Sequence, residues 1–572
     1  MRIHPILTLL PLLLFSSPLP AQEAISSPRP IPQIKDGQLI VDGKPFVMLA
    51  GELHNSSTGS LHRMEGLWER MAEMNLNTVI AAVSWELCEP EEGKFDFSLL
   101  DAIVQGARSN DLRVVLIWFG SWKNGTSTYV PAWVKLDQKR FPLARTKLGY
   151  KLNAVSALGE NTMKADARAF AAMMRHLRVI DGEHQTVILV QVENEIGTLR
   201  DTRREGDRAS RDFNSIAQKA FDGGVPSGLH SYLKDHEKNL HPVLLDAWKS
   251  NGKKMKGSWE DVFGPSAPAS GPWQDTFPYL TDEIFNAWNY ASYVGYITHA
   301  GKKEYALPMY VNDWLKQEGQ EEPGLYPSGA AQPHLYDIWK AAAPDIDFYA
   351  PDIYAVDTFD WVLETHAFGK NPLFIPETQG SSEGASRALY AFGRYPLIGY
   401  SPFGVDGGAG LSVPTGDTSY PSVYRLLAHL MPEILRGRES SCIDGLFVDS
   451  SKPEETIEMN GIEVTASILS PYARMLDFIG TEVESGTFEA APLGVLVLRT
   501  GENEFLVAGG LGNGWVRFSK PGSRLAYLSV DLVDYDENGQ ERVHRLNGDE
   551  IYADLVFPEG EATLYHVKLY EL

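Results

Sequence analysis

Two glutamates, each at the end of a short apolar stretch, are the residues of this chain whose type and placement best suit chemistry. Glu195 follows the run at 186–192, and Glu377 follows the run at 372–376. Both runs are rich in aliphatic and β-branched residues, which is typical of buried parallel strands. The loops after the strands of a (β/α)8 barrel build its active site, so a carboxylate in either position is a candidate for catalysis.

The chemistry that suits two facing glutamates is cleavage of a glycosidic bond. Cleavage with retention of configuration needs two carboxyl groups roughly 5–5.5 Å apart, one to attack the anomeric carbon and one to protonate the departing oxygen. Glu377 is predicted to be the nucleophile and Glu195 the acid/base, which needs a pKa raised toward roughly 6–7, part of which the nearby negative charge of Glu377 can supply. The preceding Asn194 is predicted to bind the 2-hydroxyl of the sugar.

An alternation of strands and helices would bring both glutamates to one end of a barrel. Strands one to eight are predicted at 45–50, 77–83, 113–119, 186–192, 308–312, 347–351, 372–376 and 396–402. Helices are predicted at 59–74, at 98–107 with Ser98 as the N-cap, and at 282–300. The predicted fold class is α/β, a (β/α)8 TIM barrel at 34–436 with a large insertion at 198–307.

The residue pattern of the sequence changes after the predicted barrel. Residues 422–431 are predicted to form a closing helix that Pro432 ends. Residues 440–572 contain short strand patterns and Asn-Gly pairs at 460–461, 513–514 and 538–539, each a hairpin signal. These features predict an all-β, sandwich-like domain, either as a structural support or as a carbohydrate-binding module.

The first residues of the chain have the pattern of an export signal. Arg2 precedes an apolar run at 6–15 and a segment of small residues and prolines at 16–21. The run is shorter than the roughly 20 residues that a membrane-spanning helix needs. We therefore expect a signal peptide at 1–21 and an exported protein, periplasmic or extracellular, with no membrane insertion.

Composition narrows the set of partners. The net charge of −24 argues against nucleic acid and anionic membranes and is compatible with a neutral substrate. The two cysteines, Cys88 and Cys442, do not make a disulfide framework; two free thiols are expected, with a single bridge as the alternative. The sequence contains no HExxH motif and no cluster of metal ligands, so neither a metal nor another cofactor is predicted. The oligomeric state stays open.

Further candidates for substrate binding lie near the predicted strand ends. Glu52 and His54 follow strand one and are expected to support the site by hydrogen bonds. Glu89 is expected either to bind a sugar hydroxyl or to pair with an Arg or Lys. Aromatic and amide side chains that suit sugar recognition complete the set: Trp122, Asn124, Trp314 and Tyr354.

Several ordered motifs resemble glycoside hydrolase family 35, the retaining β-galactosidases. They are Gly-Glu-Leu-His at 51–54, Asn-Leu-Asn-Thr-Val at 75–79, Ser-Trp-Glu-Leu-Cys-Glu-Pro at 84–90, Gly-Lys-Phe-Asp-Phe at 93–97, and the segments at 191–197 and 376–377. The resemblance covers about residues 34–410 and implies the same roles for Glu195 and Glu377. It also implies a substrate with terminal β-galactosyl units on an oligo- or polysaccharide, such as plant xyloglucan.

The chain departs from that family in two places, which leaves the sugar open. Glu86 and Cys88 replace an Asn and a His of the usual segment, and the stretch at 120–125 replaces a Cys-Ala-Glu-Trp segment whose glutamate touches galactose. The alternatives are a β-glucosidase, β-mannosidase or β-fucosidase on the same barrel, or a non-catalytic carbohydrate-binding protein.

Overall fold

The computed structural model describes residues 29–200, 207–468, 491–536, 539–551 and 554–572. The predicted signal peptide at 1–21 lies outside the described residues. A small antiparallel sheet comes first in the described chain: β1 (Gln33–Lys35), β2 (Gln38–Val41) and β3 (Lys44–Pro45). Leu39 and Val41 of β2 pack against Met48, Ile80 and other side chains of the barrel interior, so this sheet closes the N-terminal end of the barrel.

Eight parallel strands form the barrel, and all eight predicted strands are present. They are β4 (Met48–Glu52), β5 (Thr78–Ser84), β6 (Arg113–Lys123), β9 (Val187–Asn194), β10 (Met309–Trp314), β11 (Phe348–Asp352), β12 (Phe374–Thr378) and β13 (Gly399–Pro402), while β7 (Leu143–Arg145) and β8 (Lys151–Val155) form a hairpin in the connection after β6. The strand order is β11-β10-β9-β6-β5-β4-β13-β12. A bridge between Ile353 and Thr378, with the Ile353 N–H donating to the Glu377 carbonyl, links the two end strands. The predicted (β/α)8 fold is confirmed.

The helices surround the barrel, with some differences from the predicted bounds. They are α1 (Leu67–Glu73), α2 (Trp85–Cys88), α3 (Ser98–Ser109), α4 (Ala132–Leu136), α5 (Glu160–Asp181), α6 (Ser215–Asp222), α7 (Ser227–Asp235), α8 (Pro242–Ser250), α9 (Trp259–Phe263), α10 (Leu280–Glu304), α11 (Tyr336–Ala342), α12 (Phe359–His366), α13 (Ser382–Arg394) and α14 (Ser419–Ser440). The helix predicted at 59–74 is shorter because Gly66, at φ 63°, has a left-handed backbone just before α1. Helix α3 begins at Ser98, whose N–H is bound by the Asp96 carboxylate, so Ser98 is not the N-cap.

Two long helices differ from the predicted bounds of the insertion and of the closing helix. Helix α10 packs along α5 and is the helix between the fourth and fifth barrel strands, so it belongs to the barrel ring, whereas α6 to α9 lie in the excursion before it. Helix α14 continues through Pro432, which the sequence predicted to end it. Leu430 and Ile434 are buried on either side of Pro432, and their packing outweighs the loss of one backbone hydrogen bond.

The C-terminal region is a sandwich of two antiparallel sheets. Its strands are β14 (Ile443–Val448), β15 (Glu454–Met459), β16 (Ile462–Ser467), β17 (Leu493–Arg499), β18 (Glu504–Gly510), β19 (Gly514–Ser519), β20 (Leu525–Tyr535), β21 (Glu541–Leu546), β22 (Leu555–Phe557) and β23 (Ala562–Glu571). The sheets have the orders β14-β17-β18-β23-β20-β21 and β15-β16-β19-β22, and a hydrophobic cluster fills the space between them. The larger sheet packs on α13, where the Ser386 hydroxyl accepts from the Gly494 N–H and donates to the Gly510 carbonyl.

The Asn-Gly signals had mixed outcomes. Asn460 and Gly461 join β15 to β16 in the predicted hairpin. The prediction at 513–514 is wrong, because these residues connect β18 of one sheet to β19 of the other. Strands β20 and β21 do pair as a hairpin, but Asn538 of the third signal lies outside the described residues.

Two sequence-based expectations concern the whole chain. Among the described residues, no helix is long and apolar enough to cross a membrane. Cys88 is buried and Cys442 half-buried, and both are free thiols, as expected.

Candidate active site

The end of β9 is distorted in a way that turns two consecutive side chains toward the barrel mouth. Glu193 and Glu195 have left-handed backbones, at φ 66° and 42°, which are uncommon for residues other than glycine. Side chains normally alternate along a strand. Here the alternation breaks: Asn194 and Glu195 both point into the site, while Glu193 points outward to the neighbouring strand.

A bulge in β6 explains where the Glu193 side chain goes. Trp118 pairs with Val192 and Lys123 with Asn194, so residues 119–122 of β6 lie opposite Glu193 alone. The bulge leaves the N–H groups of Ser121 and Trp122 without strand partners. The Glu193 carboxylate accepts hydrogen bonds from both, at 3.0 and 2.7 Å. This glutamate therefore stabilises the strand end that carries Lys123.

Glu377, near the end of β12, is held by three hydrogen-bond donors. The Tyr354 hydroxyl donates to its Oε2 at 2.9 Å, and Asn194 and Asn312 donate to its Oε1 at 3.2 and 3.4 Å. These three donors fix the orientation of the carboxylate. Glu377 is buried, yet its oxygen atoms face the other acids of the site.

Glu195 lies opposite Glu377 and is held from both sides. Its N–H donates to Asn312 Oδ1 at 2.9 Å, and the Asn124 side-chain amide donates to its Oε2. One carboxylate oxygen from each of Glu195, Asp352 and Glu377 lies within 4.8 Å of the others. Burial, followed by the charge of Glu377, raises the pKa of Glu195 to about 8. The two glutamates thus have the proximity that an acid and a nucleophile require, and Glu195 has the raised pKa that suits an acid.

The site holds two more buried acids, and several of its polar atoms lack partners. Burial, followed by the charge of Glu377, raises the pKa of Glu52 and of Asp352 well above their usual values. Buried polar atoms at and beneath these acids have no hydrogen-bond partner within the described parts of the chain: both carboxyl oxygens of Glu52, Asp352 Oδ1, Asn194 Oδ1 and the Tyr310 hydroxyl. Such atoms are costly in a folded protein unless a ligand or water satisfies them.

Lys123, the last residue of β6, is the cation of this site. Its side chain is buried, and its charge acts on Glu377, Glu195, Glu52 and Asp352. These acids raise its pKa despite the opposing effect of burial. The ammonium group is therefore charged and neutralises part of the acid cluster.

The three converging carboxylates could also hold a cation. Glu195, Asp352 and Glu377 are the one such group of potential ligands found among the described residues. Amide and hydroxyl donors already occupy lone pairs on all three acids: Asn124 on Glu195, Asn312 on Asp352, and Tyr354 on Glu377. This pattern suits a carboxylate that acts on a sugar better than one that coordinates a metal.

Trp122, which was predicted to bind substrate, lies outside the site. Trp122 is fully buried, its indole N–H donates to the Val155 carbonyl, and its ring packs edge-on against Tyr290 and Tyr293 of α10. The prediction failed because β6 extends to Lys123, so that Trp122 faces outward and Lys123 inward.

Glu89 pairs with a cation, which was the second of its two predicted roles. The buried carboxylate binds the Arg168 guanidinium at 2.7 Å, the Trp85 indole N–H and the Gly93 N–H. These contacts satisfy it within the protein, so it does not reach a sugar.

The remaining predicted residues lie at the mouth of the barrel. His54 bonds Asp406 Oδ1 and Ser412 Oγ, both at 2.8 Å, and so ties the loop after β4 to the loop after β13. Trp314 ends β10, half-buried, two residues after Asn312 and therefore on the same face of the strand. Asn312 and Asp352 were missed by the sequence reasoning, although both lie at the ends of apolar runs as Glu195 and Glu377 do.

Two family models match the chain. Residues 59–294, in the barrel, match the model described as beta-galactosidase, that of glycoside hydrolase family 42. Residues 420–556 match the model of a domain of unknown function, DUF5597. With the barrel and its converging glutamates, the first match places this chain among the glycoside hydrolases. The model is that of family 42, so membership of family 35 is not confirmed.

Individual relatives are similar over part of their length. A beta-galactosidase of Xanthomonas manihotis is 29% identical over 202 residues, which cover 34% of this chain and 31% of that protein. The chain thus matches about a third of the length of this relative. Solved beta-galactosidases from the psychrophilic Marinomonas ef1 and from Bacillus circulans sp. alkalophilus have TM-scores of 0.42 and 0.45 and identities of 12% and 14%. Each comparison covers 68% of this chain, and 60% and 57% of the respective structures.

Proposed function

We propose that this chain is an exported, retaining exo-β-galactosidase that releases terminal β-D-galactose from oligo- or polysaccharide side chains. The observation that carries this proposal is that one carboxylate oxygen of Glu195 lies within 4.8 Å of one of Glu377, beside buried polar atoms that have no partner among the described residues. This proximity suits double displacement, in which the two carboxyl groups lie closer together than in an inverting enzyme. The galactose assignment is supported by the family model and the curated relative.

In the first step Glu377 attacks the anomeric carbon while Glu195 gives its proton to the departing oxygen. The bond to the leaving group breaks, and the sugar becomes an ester of Glu377. Tyr354, Asn194 and Asn312 aim the nucleophile, and the raised pKa of Glu195 keeps the acid protonated near neutral pH. Asn194, beside the acid, is the candidate to bind the sugar 2-hydroxyl.

In the second step Glu195, now ionised, takes a proton from water, and the water oxygen attacks the anomeric carbon. The bond to Glu377 breaks and β-galactose leaves, so that both carboxyl groups return to their first states. Two inversions give net retention. The loss of the Glu377 charge in the ester intermediate lowers the proton affinity of Glu195 at the moment when it must act as a base.

Hydrolysis of a nitrophenyl β-D-galactoside followed by proton NMR tests the proposal. We expect β-galactose to appear first, before mutarotation mixes the anomers, at a rate that dialysis against EDTA leaves unchanged. Release of α-galactose first would contradict the double displacement. Cleavage of the glucoside, mannoside or fucoside but not the galactoside would contradict the sugar.

Export has a separate test. The positive first residues, the apolar run and the small residues at 16–21 support cleavage after Ala21. N-terminal sequencing of the protein made in its natural host is expected to begin at residue 22. A chain that keeps residues 1–21 in the cytoplasm would contradict export.

A further inference from the structure

Glu52 and Lys123 are titratable side chains of the site that have no hydrogen-bond or ion-pair partner among the described residues; the Lys123 ammonium lies 5.3 Å from the centre of the Phe119 ring. Both oxygens of Glu52 are buried and unbonded, in contrast to the carboxylates of Glu195 and Glu377, which accept hydrogen bonds. The Lys123 ammonium makes no hydrogen bond or ion pair within 4.0 Å to any described residue, although its charge acts on four acids. Lys123 is 7% exposed, and its three N–H donors are available to a bound ligand.

The fold fixes both groups firmly. Glu52 ends β4, which pairs with β13, and its carbonyl accepts from the Val405 N–H. Lys123 exchanges two backbone hydrogen bonds with Thr126 and pairs with Asn194 on β9. A buried charge at a rigid strand end without a partner is a costly arrangement, and such arrangements are retained where a ligand supplies the missing bonds.

We propose that Lys123 is a specificity-determining residue that donates a hydrogen bond to a hydroxyl group of the terminal neutral sugar, with Glu52 binding a second hydroxyl of the same ring. This inference rests on the proposed function and names the residues that recognise the sugar. The ammonium group offers only donors, and the carboxyl group of Glu52 offers at least one acceptor, so the two together complement hydroxyl groups, which are both donors and acceptors.

A purely electrostatic role for Lys123 is the competing explanation. In that role the lysine would keep Glu377 ionised without touching the sugar. Its loss would then slow the cleavage of every substrate by the same factor. A direct hydrogen bond makes a different prediction, because its loss matters only when the matching hydroxyl is present.

The test crosses two variants with a set of substrates that each lack one hydroxyl. Lys123→Met and Glu52→Gln are assayed on nitrophenyl β-D-galactoside and on its four monodeoxy analogues. The matched controls are Lys139→Met and Glu73→Gln, at exposed positions away from the site. Thermal melting of each variant confirms that it is folded.

We expect each site variant to lower kcat/KM on the complete galactoside about 10- to 100-fold, the range for a hydrogen bond to a charged group. On one monodeoxy analogue the same variant should equal the wild type within about twofold, and the analogue should differ between Lys123→Met and Glu52→Gln. An equal loss on all five substrates would overturn the proposal in favour of the electrostatic role. A Lys123→Arg variant, which keeps the charge, provides the second readout if Lys123→Met does not fold: an unchanged pattern across the analogues would also overturn the proposal.

The test separates this inference from the proposed function. If the wild type cleaves none of the β-glycosides, the proposed function itself fails. If the wild type cleaves the galactoside but the variants show no hydroxyl-dependent loss, only the assignment of Lys123 and Glu52 fails.

Discussion

Two clusters of buried acids lie on opposite faces of the same strand end. On the outer side, Glu193 and Asp166 receive the Ser121 and Trp122 N–H groups, the Trp118 indole N–H and the Ser121 hydroxyl. On the inner side, Glu52 receives no hydrogen bond and Asp352 Oδ1 has no partner within the described chain. Burial raises the pKa in both clusters, so raised proton affinity does not tell them apart. The hydrogen bonds do distinguish them: the outer acids are satisfied within the protein, which favours a structural role, and the unsatisfied inner acids support the proposed binding role.

The largest expected effect is the loss of turnover when Glu377, the proposed nucleophile of the inner cluster, is replaced. Glu377→Ala removes the group that forms the covalent bond to the sugar in the proposed mechanism, so kcat should fall on the order of 10⁴-fold or more. Added azide should restore turnover and yield the α-galactosyl azide, because one displacement inverts the anomeric carbon. Proton NMR identifies the product.

The Glu195→Ala variant is the control for the azide experiment. Azide attacks the glycosyl ester in Glu195→Ala and should give the β-galactosyl azide. A β product from Glu377→Ala would contradict the assignment of the two roles. Thermal melting of both variants confirms that each is folded, since Glu377→Ala removes the acceptor of Tyr354 and Asn194, and Glu195→Ala that of Asn124.

The second effect concerns the proton of Glu195. Activity needs the protonated acid, whose pKa is raised to about 8, so kcat/KM should fall as pH rises through about 8. In Glu195→Gln the decrease of kcat/KM on the alkaline side of the pH profile should disappear. The loss at neutral pH should be about 10²- to 10⁴-fold on a substrate with a poor leaving group and smaller on a dinitrophenyl galactoside, which needs no acid assistance. Persistence of the basic limb in Glu195→Gln would assign it to another group.

The sequence predicted the barrel and its glutamate pair because both depend on local patterns. Apolar runs predicted all eight strands, and a glutamate at the end of two of them predicted the candidate site where their carboxylates converge. Asn312 and Asp352 obey the same rule at β10 and β11, so the signal for them was present in the sequence. It was not applied to them because an Asn or Asp after a short strand is also the usual start of a turn.

Other features depend on tertiary geometry that no local pattern contains. The β6 bulge and the extension of that strand to residue 123 reverse the faces of Trp122 and Lys123. The Arg168 partner of Glu89 comes from α5, far along the chain. Helix α14 passes Pro432 because the packing of both its halves is set by the barrel and the C-terminal sheet.

The third effect tests the outer cluster. Asp166→Ala leaves the Trp118 indole N–H and the Ser121 hydroxyl without their acceptor, so the free energy of unfolding should fall by about 2–4 kcal/mol. Denaturant titration measures it. Asp166→Asn keeps one acceptor oxygen and should cost less. A change below about 0.5 kcal/mol for Asp166→Ala would contradict the structural role of this cluster.

The smallest effect has the opposite sign and comes from the inner cluster. Glu52→Leu removes a buried carboxyl group that has no partner and replaces it with an apolar side chain, so the free energy of unfolding should rise by about 0.5–2 kcal/mol. Saturating galactose should raise the melting temperature of the wild type more than that of Glu52→Leu, since the sugar supplies the bonds that Glu52 lacks only in the wild type. A loss of stability in Glu52→Leu, matching that of Asp166→Ala, would mean that the inner acids are structural too. Buried polar atoms without hydrogen-bond partners would then not distinguish a binding site from a structural cluster.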